Sequence, residues 1–159
     1  MNMKKGGRKF VTFVVCLIVV YFVAGLGSLF TTSGTRSQWY ESVRPALTPS
    51  NYVFPIVWTI LFFLIGVSLF FSWINAKNVK MKKKVALVFG INFILNILWS
   101  VFYFGIHNPL LAFMDIILLI VSVVWMMIVC WKISKTASWL LLPYLLWISF
   151  ASILNWLSI

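Results

Sequence analysis

VFPIVWTILFFLIGVSLFFSWI (residues 53–74), NAKNVKMKKK (75–84) and VALVFGINFILNILWSVFYFGI (85–106) follow one another in the middle of the chain. Two 22-residue apolar runs without Asp, Glu, Lys or Arg flank a turn that holds five lysines. A bilayer core about 30 Å thick is crossed by roughly 20 apolar residues rising about 1.5 Å each, so each run is a membrane span. Three more segments of that kind lie outward from this pair, at 10–30, 110–131 and 137–159. With no water in the bilayer core, backbone groups must pair inside each segment or in a closed barrel. Barrel strands would be about 10 residues long and would alternate in polarity, unlike these long uniform runs. The fold expected is therefore an all-α integral membrane protein, a bundle of five transmembrane helices within one domain, 1–159.

Composition agrees. Of 159 residues, 63% are hydrophobic and 9% charged, where a soluble domain carries about 25% charged residues. The net charge of +11 could suggest nucleic acid, but its placement points elsewhere. Lys4, Lys5, Arg8 and Lys9 precede the first span; Lys77, Lys80, Lys82, Lys83 and Lys84 lie between spans two and three; Lys132 and Lys135 lie between spans four and five. The opposite side holds only Arg36 and Arg44, with His107 in the third loop. Eleven basic residues against two in short loops is the positive-inside pattern, which puts the N-terminus in the cytoplasm and the C-terminus outside. The lysines are a topology signal that also touches anionic lipid, and no nucleic-acid partner is expected. The basic start followed by an apolar run resembles a signal peptide. Its 21-residue apolar stretch exceeds the usual 7–15, so it is read as a retained first helix. Cys16 and Cys130 fall inside spans, so neither a disulfide framework nor a metal site is expected.

The loops are short apart from the first, residues 31–52, which carries Trp39, Tyr40, Glu41, Arg44, Pro45 and Pro49. Joining two helices needs far less chain. Its prolines stiffen it, and its aromatic pair suits a membrane interface or a lid over the mouth of the bundle. His107, Asn108 and Pro109 form a tight turn that makes spans three and four antiparallel neighbours. Five spans do not divide into the inverted repeats of many transporters.

No paired carboxylate, Cys/His cluster, phosphate loop or nucleophile elbow is present, so no conventional enzyme and no cofactor are expected. Polar and aromatic side chains instead recur at helical spacing. Asn92, Asn96, Trp99 and Tyr103 share one side of span three; Tyr144, Trp147, Ala151 and Asn155 one side of span five; Trp58, Phe62 and Gly66 one side of span two. An amide facing lipid loses its water partners, so these faces turn inward. Asp115 is expected to join them, since a carboxylate in a membrane faces a partner or a cavity. Of nine tryptophans, Trp39, Trp131, Trp139 and Trp156 suit interfacial belts, whereas Trp58, Trp99, Trp125 and Trp147 lie too deep for that. A flat aromatic wall with a few amides suits a large, planar, apolar ligand. Ala86 and Gly90 form a small-xxx-small pair that would support a homodimer.

Four stretches resemble the TspO/MBR family of tryptophan-rich sensory and translocator proteins: Trp39-Tyr40 with Arg44-Pro45 and Thr48-Pro49; Val57-Trp58-Thr59; Leu95-Asn96 and Trp99 with Phe102 to Gly105 and Asp115 beyond; and Leu142-Pro143-Tyr144-Leu145, Trp147, Phe150-Ala151 and Leu154-Asn155. Leu47, Ser50 and Tyr52 depart from the family's loop pattern. The resemblance implies a five-helix bundle, usually dimeric, with a pocket beneath the first loop for porphyrins, sterol-like lipids or related drugs. No basic residue follows Asn155, which lowers the expectation of sterol binding. Trp58, Phe62, Asn96, Trp99, Trp147 and Ala151 match the family's pocket positions, and Tyr40, Phe54 and Asp115 complete the expected ligand-binding set. The leading expectation is a receptor or sensor for porphyrins or other large apolar ligands, in a bacterial plasma membrane. The alternatives are light- and oxygen-dependent porphyrin degradation through Trp58 and Trp147, and transport of tetrapyrroles or lipids.

Overall fold

The structure, a computed structural model, describes residues 2–159, with side chains from Gly6 onward; those of Lys4 and Lys5 lie outside the described residues. Helix α1 runs Asn2–Gly34, and a short helix α2, Gln38–Val43, follows in the first loop. Helix α3 spans Val53–Asn75, and α4 spans Val79–Ser100 and continues as one π-turn, Val101–Gly105. Helix α5 is Pro109–Trp131, α6 is Lys135–Trp139 and α7 is Leu142–Trp156. Five of the resulting rods are long and apolar enough to cross a membrane, with α4 and its π-turn forming one and α6 with α7 another.

The ends of these helices follow local chemistry. The side chains of Ser37, Asn78, Asn108 and Ser134 each accept a bond from a backbone N–H three residues on, at the starts of α2, α4, α5 and α6. Pro109 and Pro143 sit in first turns, where their missing N–H costs nothing. Pro143 also divides the fifth span, expected as one run, into α6 and α7. A proline ring collides with the carbonyl four residues back, so the helix cannot pass through it unbroken. Helix α1 extends beyond the expected 10–30, and its last turns are supported by hydroxyl bonds to its own carbonyls, such as Thr35 Oγ1 to Thr31 O at 2.9 Å.

Helix α5 packs against α4 and α7, while α1 leans on α3 and α4 and leaves much of its surface to lipid. The core joins Val20 of α1, Ile65 of α3, Phe89 of α4, Leu119 and Met126 of α5, and Ile148 of α7. Buried hydroxyls tie the helices where apolar packing alone would not orient them: Ser68 donates to the Ala137 carbonyl at 2.7 Å, Ser138 to the Met127 carbonyl at 2.9 Å, and Ser72 to Cys130 Sγ at 3.1 Å. Two glycines mark the closest approaches of α1. A Cβ on Gly66 would lie 2.7 Å from the flexible end of Leu17, and one on Gly34 would lie 2.5 Å from the Phe104 ring.

Phe104 is buried under Tyr40 and beside Tyr103 and Trp99, and its Cβ also lies 2.5 Å from the added atom, so no side-chain rotation relieves the clash and the π-turn backbone would have to shift. Gly34→Ala is therefore expected to destabilise the protein by about 1–3 kcal/mol, the usual cost of overpacking. Gly90→Ala, where an added Cβ meets nothing within 4 Å, is expected to be neutral or mildly stabilising. Thermal unfolding of the two variants in detergent measures the difference.

Candidate functional site

A cavity of about 580 Å³ opens between α1, α3, α4 and α7 beneath the first loop. Its volume lies within the range of roughly 300–1,000 Å³ typical of small-molecule sites. Helix α3 supplies Phe54, Pro55, Trp58, Thr59 and Phe62; α4 supplies Asn96, Trp99 and Ser100, with Phe104 from the π-turn; α7 supplies Trp147 and Ala151. Tyr40 of α2 lies over it. Eight side chains singled out in the sequence, Tyr40, Phe54, Trp58, Phe62, Asn96, Trp99, Trp147 and Ala151, thus line one space. Asp115 does not. It is buried on α5, which contributes no residue to the wall, and its Oδ2 has no hydrogen-bond partner among the described residues. The expectation that Asp115 faces the cavity is corrected accordingly, because α4 and α7 stand between α5 and the void. Trp125, also expected on the inside, is 38% exposed on the outer face of α5.

The aromatic wall is internally braced. Trp58 stacks on Phe62 at 5.3 Å and meets Tyr144 edge-on at 6.1 Å, while Phe54 meets Trp147 edge-on at 5.9 Å. Trp99 stacks on Tyr103 at 5.3 Å, and its indole N–H donates to Asn155 Oδ1 at 3.0 Å. The Asn155 amide in turn donates to the Pro109 carbonyl at 2.8 Å, so one buried residue of α7 holds both the Trp99 ring and the start of α5. Trp147 differs from Trp99 in this respect: its indole Nε1 is buried with no partner among the described residues. An unmade hydrogen bond in an apolar setting costs about 1–3 kcal/mol, and this donor is packed into the wall with almost no accessible surface of its own.

Helix α1 carries the part of the wall that aromatic spacing did not indicate: Tyr21, Ala24, Gly25, Gly27, Ser28, Thr31, Thr32, Thr35 and, just past its end, Arg36. Ala24, Ser28, Thr31 and Thr35 stand at offsets of 0, 4, 7 and 11, the same spacing that marks span three, so a stripe of small and hydroxyl residues was the available signal. The exposed members of the lining on the spans, Tyr21, Gly25, Ser28 and Thr32 on α1 and Pro55 and Thr59 on α3, make the cavity's lateral opening. Tyr21 closes its lower end by donating to the Thr59 carbonyl at 3.2 Å.

The first loop covers the top. Arg44 pins it by an ion pair with Glu41 at 3.7 Å and a bond to the Pro49 carbonyl at 3.2 Å. Trp39 stacks on His107 at 4.5 Å, joining the loop to the α4–α5 turn, where His107 takes the left-handed φ of 58°. Burial pushes the Tyr40 phenol above its usual pKa, so it stays neutral and presents a hydroxyl. Of the departures from the family loop pattern, Leu47 and Tyr52 are 67% and 69% exposed and lie outside the wall.

These features define a class: a five-helix integral membrane protein with an aromatic cavity, enclosed by its helices and capped by its first loop. The model of the TspO/MBR family matches residues 13–158. The chain is 40% identical over 145 residues to a tryptophan-rich protein TspO of Archaeoglobus fulgidus, covering 89% of this chain and 91% of that one. It is 38% identical over 151 residues to the tryptophan-rich protein TspO of Chlorobaculum tepidum, covering 93% and 94%. The human translocator protein is 27% identical over 133 residues, covering 82% and 78%. The chain belongs to the TspO/MBR family.

Asn155→Leu removes two interhelical bonds at once. Such bonds inside membranes average about 0.6 kcal/mol, so a loss of about 1–2 kcal/mol is expected in detergent unfolding. The Trp99 emission spectrum should shift as its N–H loses its acceptor, which a change in stability alone would not produce.

Proposed function

We propose that the protein is a membrane receptor that binds porphyrins or similar large, planar, apolar ligands in this cavity. The observation that carries the reading is the convergence of Trp58, Phe62, Asn96, Trp99 and Trp147 from three helices on one 580 Å³ space. Stacked and edge-on rings give a flat ligand apolar area on both faces, and the few polar groups orient it. Tyr40 and Phe54 close the wall beneath the loop. The resemblance to tryptophan-rich sensory proteins and translocator proteins supports the same ligand class.

In this reading the protein lies in a bacterial plasma membrane with its N-terminus in the cytoplasm, supported by the eleven-to-two distribution of basic residues. A homodimer is supported by Ala86 and Gly90 of α4, which face outward and leave room for a second helix. A second reading, oxygen- and light-dependent porphyrin breakdown, is favoured by two indoles, Trp58 and Trp147, in the wall of the same space.

Titration with protoporphyrin IX in detergent is expected to quench tryptophan fluorescence saturably. The Trp58→Phe/Trp147→Phe double variant should bind about tenfold more weakly or worse, since ring contacts are worth roughly 0.5–1.5 kcal/mol each beyond their area. Unchanged affinity in the double variant removes the cavity from consideration. Bleaching of the porphyrin Soret band under illumination, measured in the same pair, decides the second reading: it should stop in the double variant if the indoles carry it.

A further inference from the structure

We propose that the polarity of the Asn96 amide is fixed from inside the bundle, so that the cavity offers a hydrogen-bond acceptor there and favours apolar ligands that carry an N–H or O–H donor. The inference rests on the binding reading above and names the ligand chemistry of that site.

The argument starts at a backbone carbonyl. Ser122 Oγ lies 2.7 Å from the Leu119 carbonyl oxygen, and two oxygens at that distance repel unless a hydrogen lies between them. The one hydrogen of the Ser122 hydroxyl is therefore spent on α5. Asn92 of α4 lies 2.9 Å from the same Ser122 oxygen, and with no hydrogen left there it must be the donor, through Nδ2. That choice turns Asn92 Oδ1 toward the Tyr144 hydroxyl of α7, 3.3 Å away, which gives it its only hydrogen. Tyr144 can then only accept at its oxygen. Asn96 approaches that oxygen at 3.2 Å, so it too must present Nδ2.

The remaining polar atom of Asn96, Oδ1, has no partner among the described residues, and Asn96 lines the cavity while Tyr144, Asn92 and Ser122 do not. The three relay residues are sealed, with exposures of 0%, 1% and 4%, so no water is at hand to rescue a reversed arrangement. Flipping Asn96 would set its carbonyl against the Tyr144 oxygen with no hydrogen between them. Tyr144, Asn92 and Ser122 are thus positioning residues: they touch no ligand and decide which end of Asn96 a ligand meets.

The test uses two planar probes that differ in one donor, 2-phenylindole and 1-methyl-2-phenylindole, competed against protoporphyrin IX quenching in detergent. The wild type is expected to prefer the N–H probe by about three- to tenfold, the size of one net hydrogen bond. In Tyr144→Phe and Ser122→Ala that ratio should fall toward one while the N-methyl probe keeps its affinity within about threefold, and in Asn96→Leu, which alters the wall itself, the ratio should likewise fall toward one. A purely structural role would weaken both probes together and leave the ratio intact. Ser122→Ala removes a single hydroxyl and carries the test if Tyr144→Phe fails to fold. Equal binding of the two probes to the wild type overturns the proposal and leaves the cavity standing, as does a ratio that survives both relay variants. Failure of the N–H probe to displace bound protoporphyrin also overturns it. Absence of saturable protoporphyrin binding overturns the receptor reading itself.

Discussion

Inside a hydrocarbon layer a polar side chain has no solvent to fall back on, and the arrangement of α4, α5 and α7 follows from that one condition. Asn92, Asn96 and Asn155 would each be a liability facing lipid, and each finds its partner on another helix instead. The bonds are weak singly, and their effect is geometric. They set the rotation of α4 and α7 about their axes, and that rotation turns Trp99 and Trp147 toward a common void, which Trp58 of α3 closes from the other side. The cavity is in this sense partly a by-product of satisfying amides.

Helix α1 obeys a different rule. It contributes no amide to the interior and buries little of its apolar surface, and it is held to α3 and α4 by close backbone approach at Gly34 and Gly66 and by hydroxyls that bond mostly to their own helix. The side of the cavity it forms is therefore smooth and mildly polar, opposite a wall that is aromatic and rigid.

Much of this was legible in the sequence. The α3 and α5 boundaries, Val53–Asn75 and Pro109–Trp131, differ by one residue from runs read off hydropathy, since a lipid-filled environment leaves little but apolarity to define them. The inward faces of spans two, three and five were legible because helical spacing of amides and tryptophans is itself the signal. Three things were not. The π-turn at Val101–Gly105, which lets both Tyr103 and Phe104 turn inward, has no local marker; its support is the packing of those rings under α2. The inward stripe of α1 is small and hydroxylic apart from Tyr21 and so gave little contrast. Asp115 misled because burial of a carboxyl in a membrane is compatible with a cavity or with packing, and which helix borders the void is a matter of tertiary arrangement.

The gap between α1 and α3, edged by Gly25, Ser28 and Thr32 on one side and Pro55 and Thr59 on the other, faces outward between two membrane-spanning helices. In the receptor reading proposed above, a hydrophobic guest dissolved in the membrane reaches the site through this gap without first returning to water. Its supply is then governed by how it distributes between lipid and aqueous phases, and occupancy tracks its mole fraction among lipids. For such a protein the bilayer is both scaffold and storehouse, and a dissociation constant acquires meaning only when the amount of lipid or detergent present is stated with it.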